Sequence, residues 1–118
     1  MAFFISLVLF APSLYVLCDG TLVCLHGSYA PGHGGLRVIF STDGGHTWIA
    51  LAKDHSFLVD NAYGYGKAME QPDGSLFITC LSSSGHRTQD AQSNSIRCIR
   101  LRIRPDHSGV ELLPAPNR

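Results

Sequence analysis

Arg37 and Arg97 are the side chains in this sequence best suited to recognition chemistry, because a guanidinium fork can hold a carboxylate in two parallel hydrogen bonds. They occupy equivalent places in an internal repeat, and a residue present in both copies reads more readily as scaffold than as a unique substrate contact. Six histidines, His26, His33, His46, His55, His86 and His107, are scattered without the spacing of a metal site. His26 closes an apolar run, where it reads either as a substrate contact lining a pocket or as a core histidine with both nitrogens satisfied. The cysteines, Cys18, Cys24, Cys80 and Cys98, lack the spacing of about two to four residues that a zinc knuckle or redox pair needs. Cys24, Cys80 and Cys98 lie in apolar stretches and read as small hydrophobes, with a Cys80–Cys98 bridge between neighbouring strands as the alternative. No metal and no cofactor is expected. Arg100, Arg102 and Arg104 alternate with Leu101 and Ile103, the pattern of one solvated face on a half-buried strand rather than of a nucleic-acid stripe.

The totals suit a globular chain that recognises any ligand locally. Of 118 residues, 45% are apolar and 15% charged, and nine basic residues balance nine acidic ones. No field of one sign invites nucleic acid or an anionic membrane, and neither is expected as a partner. The run from Met1 to Phe10 is nearly all apolar but follows no Lys or Arg. It reads either as the remnant of a secretory signal or as a buried strand leading into Ala11-Pro12-Ser13. It falls well short of the roughly 20 apolar residues of a membrane-spanning helix.

The elements that must position these residues are strands. Apolar residues rarely recur at helical spacing, and Gly, Asp, Asn and Ser clusters interrupt the chain at short intervals. Strands are expected over 14–17, 21–26, 36–41, 47–51, 66–70, 75–81 and 96–103. Asp19-Gly20 and Asp73-Gly74 supply pairs that tolerate positive φ between apolar runs and predict tight hairpins. Leu36 to Phe40 is apolar on both faces, which suits a sheet sandwiched between neighbours. The sequence also repeats itself. Pro12-Ser13, Leu17 and Asp19-Gly20-Thr21-Leu22 recur 54 residues later as Gly66-Lys67, Gln71 and Asp73-Gly74-Ser75-Leu76. Leu36-Arg37 recurs 60 residues later as Ile96-Arg97, which leaves the second unit a longer polar loop over 82–95. A period near 50 with about four strands per unit is that of propeller blades. The expected division is an apolar segment over 1–12, a first blade over 13–51, a linker over 52–64, a second blade over 65–104 and a tail over 105–118.

Ser41, Asp43, Gly45, Thr47 and Trp48 spell Ser-x-Asp-x-Gly-x-Thr-Trp. After a strand ending at Phe40, Asp43 can accept amide hydrogen bonds within its own turn, Gly45 can take positive φ, and Trp48 can fold back on the hairpin. This stretch resembles the Asp box of the sialidase superfamily, also called the bacterial neuraminidase repeat. In that family the box joins the third and fourth strands of a blade, away from the catalytic pocket, so the resemblance implies a fold more strongly than a chemistry. A second stretch, from Gly64-Tyr65-Gly66 to Asp73-Gly74, resembles the sialidase segment Tyr-Pro-Ser, five residues, Asp-Gly. It matches in the Tyr and the Asp-Gly but not in the Pro-Ser.

The resemblance implies a role for tyrosine as nucleophile. Tyr65 fits the spacing, and Tyr63, following Ala62, fits the local sequence of animal-type sialidases. A phenol titrates near pH ~10 and needs a carboxylate as base. Glu70 is the nearest by sequence, but five residues along a strand place it on the opposite side of the sheet from Tyr65. The chain also departs from the family. Sialidases hold the substrate carboxylate with three arginines, the first from an Arg-Ile-Pro segment; none is present here, and Ala11 stands before Pro12. No loop carrying the aspartate acid/base is recognisable.

The expected fold is therefore all-β, a partial sialidase-like β-propeller of about two four-stranded antiparallel blades. The implied parent function is exo-acting hydrolysis of sialic-acid-type glycans, with the chain alone inactive. The alternatives are a non-catalytic Asp-box module binding carbohydrate or protein, and a truncated reading frame without activity. Two blades leave apolar faces open, with Leu36, Val38 and Phe40 expected to lack one neighbour. Further propeller blades would cover them in a longer parent; for the chain alone the options are self-association or aggregation, and aggregation or poor folding is the expected outcome.

Overall fold

A computed structural model of the chain describes residues 9–28, 34–51, 56–61, 64–82 and 95–114. Among the described residues eight strands form: β1 (Leu9–Val16), β2 (Leu22–Ser28), β3 (Gly35–Ser41), β4 (Phe57–Asp60), β5 (Gly64–Glu70), β6 (Leu76–Ser82), β7 (Ser95–Ile103) and β8 (Val110–Leu113). They form two four-stranded antiparallel sheets, each in sequential order, β1-β2-β3-β4 and β5-β6-β7-β8. No helix occurs among the described residues, so the protein is all-β as expected.

The two Asp-Gly hairpins share one design. In the first, the Gly20 N–H donates to the Leu17 carbonyl and the Leu17 N–H to the Thr21 carbonyl, both at 2.8 Å. Gly20 has φ of 90°, and the Asp19 carboxylate accepts from the Thr21 N–H at 2.9 Å. In the second, Gly74 donates to Gln71 and Gln71 to Ser75, again at 2.8 Å. Gly74 has φ of 85°, and Asp73 accepts from the Ser75 N–H at 2.9 Å. A glycine at positive φ closing a three-residue loop matches the twist of the flanking strands.

The repeat extends to the register. Leu14 faces Cys24 and Val16 faces Leu22 in the first sheet, and Ala68 faces Ile78 and Glu70 faces Leu76 in the second, each shifted by the same 54 positions. Even the bulges coincide, between Phe10 and Ser13 and between Gly64 and Lys67. The fourth strands break the pattern. Strand pairing expected over 47–51 contracts to a single bridge between Phe40 and Ile49, because the chain leaves the sheet there and returns as β4 against Leu36, Arg37 and Val38. The first sheet therefore runs from Leu9 to Asp60, through residues assigned to the apolar segment and the linker. The second runs on to Leu113, because β7 turns at residues 104–109 and pairs with β8 inside the expected tail. That hairpin carries the one positive-φ residue other than glycine among the described residues, His107 at 60°.

The core lies between the sheets. Leu36, Val38 and Phe40 were expected to lack a neighbour, and this is corrected: they are buried with Val23 and Leu25 against Leu76, Ile78, Cys80 and Leu101 of the second sheet. The faces that meet are not equivalent ones. By the repeat, Leu76 and Ile78 correspond to Leu22 and Cys24, which lie with Leu14 and Val16 on the face of the first sheet turned away from the core. Conversely, the core-lining Leu36, Val38 and Phe40 correspond to Ile96, Cys98 and Arg100 on the outer face of the second sheet. The units thus stack head to tail, front of one on back of the next. An ion pair crosses the interface, Arg97 Nε to Asp60 Oδ2 at 2.9 Å.

Candidate functional site

The loop after β3 assembles the five residues of the Ser-x-Asp-x-Gly-x-Thr-Trp stretch. Asp43 is the acceptor at its centre, receiving the Thr47 N–H at 2.9 Å and the Ser41 and Thr47 hydroxyls. The fully buried Ser41 oxygen in turn accepts the Gly45 N–H at 2.9 Å. The Thr47 hydroxyl and amide and the Ser41 hydroxyl hold the Asp43 carboxyl well below the ordinary carboxylate range. Gly44 and Gly45 have φ of 75° and 93°, and Gly45 sits beside the Leu22 side chain and the half-buried Trp48 ring. The loop is a closed hydrogen-bonded cap folded onto the sheet. The Asp43 carboxylate and the Ser41 hydroxyl are thereby engaged within the loop.

The candidate substrate contacts His26 and Arg37 come together. They are register partners on β2 and β3, both buried, and both engage Ser56 at the start of β4. His26 Nδ1 lies 2.9 Å from the Gly27 carbonyl and must donate to it, which leaves Nε2 to accept the Ser56 hydroxyl at 2.7 Å. Arg37 donates to the Ser56 carbonyl at 2.9 Å and to the Gly34 carbonyl at 3.3 Å. A neutral histidine accepting from a serine hydroxyl is the arrangement of a base with its nucleophile. At 5% and 4% exposure, however, His26 and Ser56 are interior groups, and the described geometry fastens β4 to its neighbours.

Burial holds the His26 pKa below its ordinary 6.5, reinforced by the Arg37 charge and opposed by the Gly27 carbonyl. Because the unfolded chain binds the proton more readily, the stabilisation is complete above pH 6.5 and is lost as the pH falls from there toward the folded value. Urea midpoints measured from pH 8 to pH 5 are expected to fall across that window in the native chain and to stay flatter in His26→Gln. Parallel curves would remove His26 as the titrating group.

The candidate nucleophiles are placed only in outline. Tyr63 lies outside the described residues, and Tyr65 is located by its backbone in β5. The neighbouring strand edges are linked by side chains. The Tyr15 hydroxyl on β1 accepts the Ala68 N–H of β5 at 3.0 Å, and the Glu70 carboxylate accepts the Cys18 N–H at 2.8 Å. Glu70 thus serves as a tether between the sheets. The structure also identifies Ser56 and Tyr15, which carried no motif. Tyr15 had no signal in the sequence, because Leu14 and Val16 on either side of it are also apolar.

Arg97, the repeat partner of Arg37, points at Asp60 across the sheets. Cys80 and Cys98 cannot form the alternative bridge, since Cys80 is buried on the core face and Cys98 exposed on the other, and all four cysteines are free. Burial, with Asp60 nearby, pushes the Cys80 thiol up to about 11, which makes it an inert packing group. Among the described residues no three His, Cys, Asp or Glu side chains cluster as a metal site. Compared with protein-family models, curated proteins and solved structures, the chain matches none.

Proposed function

We propose that this chain is a two-blade portion of a sialidase-like β-propeller, the scaffold of an exo-acting glycoside hydrolase for sialic-acid-type sugars, and that alone it has no turnover. The observation that carries the reading is the closed loop around Asp43, in which every polar position of the Asp-box pattern makes a hydrogen bond within the loop. Head-to-tail stacking of two repeats of one four-stranded plan supports it, because a propeller is built by continuing that operation around an axis. Inactivity follows from the missing parts. No Arg-Ile-Pro segment and no acid/base loop accompany the tyrosines, and Arg37 spends its described hydrogen bonds on backbone carbonyls.

The second reading, a non-catalytic Asp-box module, is favoured by that same commitment of Arg37 to the scaffold. One experiment addresses both. Hydrolysis of a fluorogenic sialoside by the native chain is expected to equal that of Tyr65→Phe at the level of the buffer blank. Turnover abolished by the substitution would show a complete site and overturn the claim of inactivity. Saturable binding of an unlabelled sialoside without turnover would favour the module.

A further inference from the structure

The four-stranded units stack front to back, and such a stack has two unlike ends. One end is the outer face of the first sheet, with Pro12, Leu14 and Val16 exposed beside half-buried Leu22 and Cys24. The other is the outer face of the second sheet, with Met69, Ile96 and Cys98 exposed beside half-buried Phe77. Leu14 and Val16 are 61% and 68% exposed, and Met69 and Ile96 are 62% and 77% exposed, high values for large apolar side chains in strand interiors.

The existing interface predicts how these ends would meet. Within the chain, Tyr15 meets the backbone of Ala68, and Leu36 packs so tightly on Gly66 that a Cβ there would lie 2.8 Å from it. Advancing each contact by one repeat turns Tyr15 and Ala68 into Met69 and Leu14, and Leu36 and Gly66 into Ile96 and Pro12. Both derived pairs are apolar on both sides, and all four residues are exposed. These apolar pairs match in chemistry under the operation that already relates the two sheets, with Pro12 bringing bulk where Gly66 has none and Arg100 standing where Phe40 does. Resting on the repeat reading proposed for this chain, we infer that a second copy docks its first sheet on the outer face of the second sheet, giving a head-to-tail assembly.

The strand edges point the same way. β1 carries a bulge and Pro12 at its edge, and β5 carries the equivalent bulge with the Tyr15 hydroxyl on its Ala68 N–H. β4 and β8 are only four residues each. Short strands, bulges and proline discourage edge-to-edge pairing. Association is therefore directed to the faces, and a heterologous contact of this kind closes into a ring only if its rotation permits.

The test uses Leu14→Glu and Met69→Glu, both at exposed positions, with circular dichroism and urea midpoints to verify folding and Ile96→Glu in reserve should either fail to fold. In size-exclusion chromatography with light scattering, the native chain is expected to form a discrete species above monomer mass. Each variant is expected to be monomeric, its association weakened at least about tenfold. Mixing the two variants restores one native interface and leaves glutamates on both free ends, so a 1:1 dimer is the expected product. Monomers that ignore each other on mixing, or native oligomers unaffected by either glutamate, would overturn this docking mode and leave the repeat reading standing. A native chain that is a stable monomer at micromolar concentration would likewise overturn the assembly and leave the repeat reading standing, and the sialoside assay reads catalysis independently of either.

Discussion

Replacing Phe40 with alanine is expected to destabilise the chain by about 3–5 kcal/mol, a large share of the roughly 5–15 kcal/mol that holds a domain of this size together. Phe40 has no exposed surface and is the largest of the fully buried side chains among the described residues. Its ring stacks on Phe57 of β4 with centroids 6.1 Å apart and meets the His107 ring of the third hairpin at 6.4 Å. Its backbone carries the bridge to Ile49 that closes the loop around Asp43. Truncation would open a cavity where three chain segments converge. Chemical denaturation should show a lower midpoint with an unchanged slope. A loss below ~1 kcal/mol would mean that the sheets are not packed face to face at this point.

The second large effect is an asymmetry between repeat partners. Ile78→Ala is expected to cost about 2–5 kcal/mol, whereas Cys24→Ala, at the equivalent position of the first sheet, should cost less than ~1 kcal/mol in the monomer. Ile78 is fully buried between the sheets, while Cys24 lies on the outward face and is only half covered. The two positions share strand, register and flanking turn; isoleucine loses three heavy atoms to alanine and cysteine one, so size sets part of the difference and burial the rest. Only a front-to-back stack buries one and leaves the other open. Equal costs for the two substitutions would contradict that stacking. The comparison is best made in the assembly-blocking Met69→Glu background, since Leu14 is the register partner of Cys24 and a change there would couple to it.

Local order was readable from the chain because a few adjacent residues impose it. Asp19-Gly20 and Asp73-Gly74 set two hairpins through a side-chain acceptor and a positive φ, and Ser41 to Trp48 specified a closed loop. The third hairpin escaped notice for the same physical reason. His107 occupies the positive-φ position where a glycine would have been the signal. The fourth strands were misplaced because β4 contains only four residues, too few to show an alternation distinct from the polar segment before it.

The site was legible as residue types but not as an arrangement. His26 and Arg37 were recognisable candidates, yet the partner that binds both is Ser56, 30 and 19 positions further along, in a stretch without motif or periodicity. Turn chemistry acts over three or four residues, and so the sequence by itself determined the all-β character, the repeat and the hairpins that carry them. The apolar run from Leu36 to Phe40 offers a hydrophobic side chain to each face, leaving local pattern without a preference. Both faces of that run are buried, and tertiary structure decided that Leu36, Val38 and Phe40 are the side chains that meet the second sheet, because burial depends on what a sheet brought in from elsewhere in the chain can remove from water.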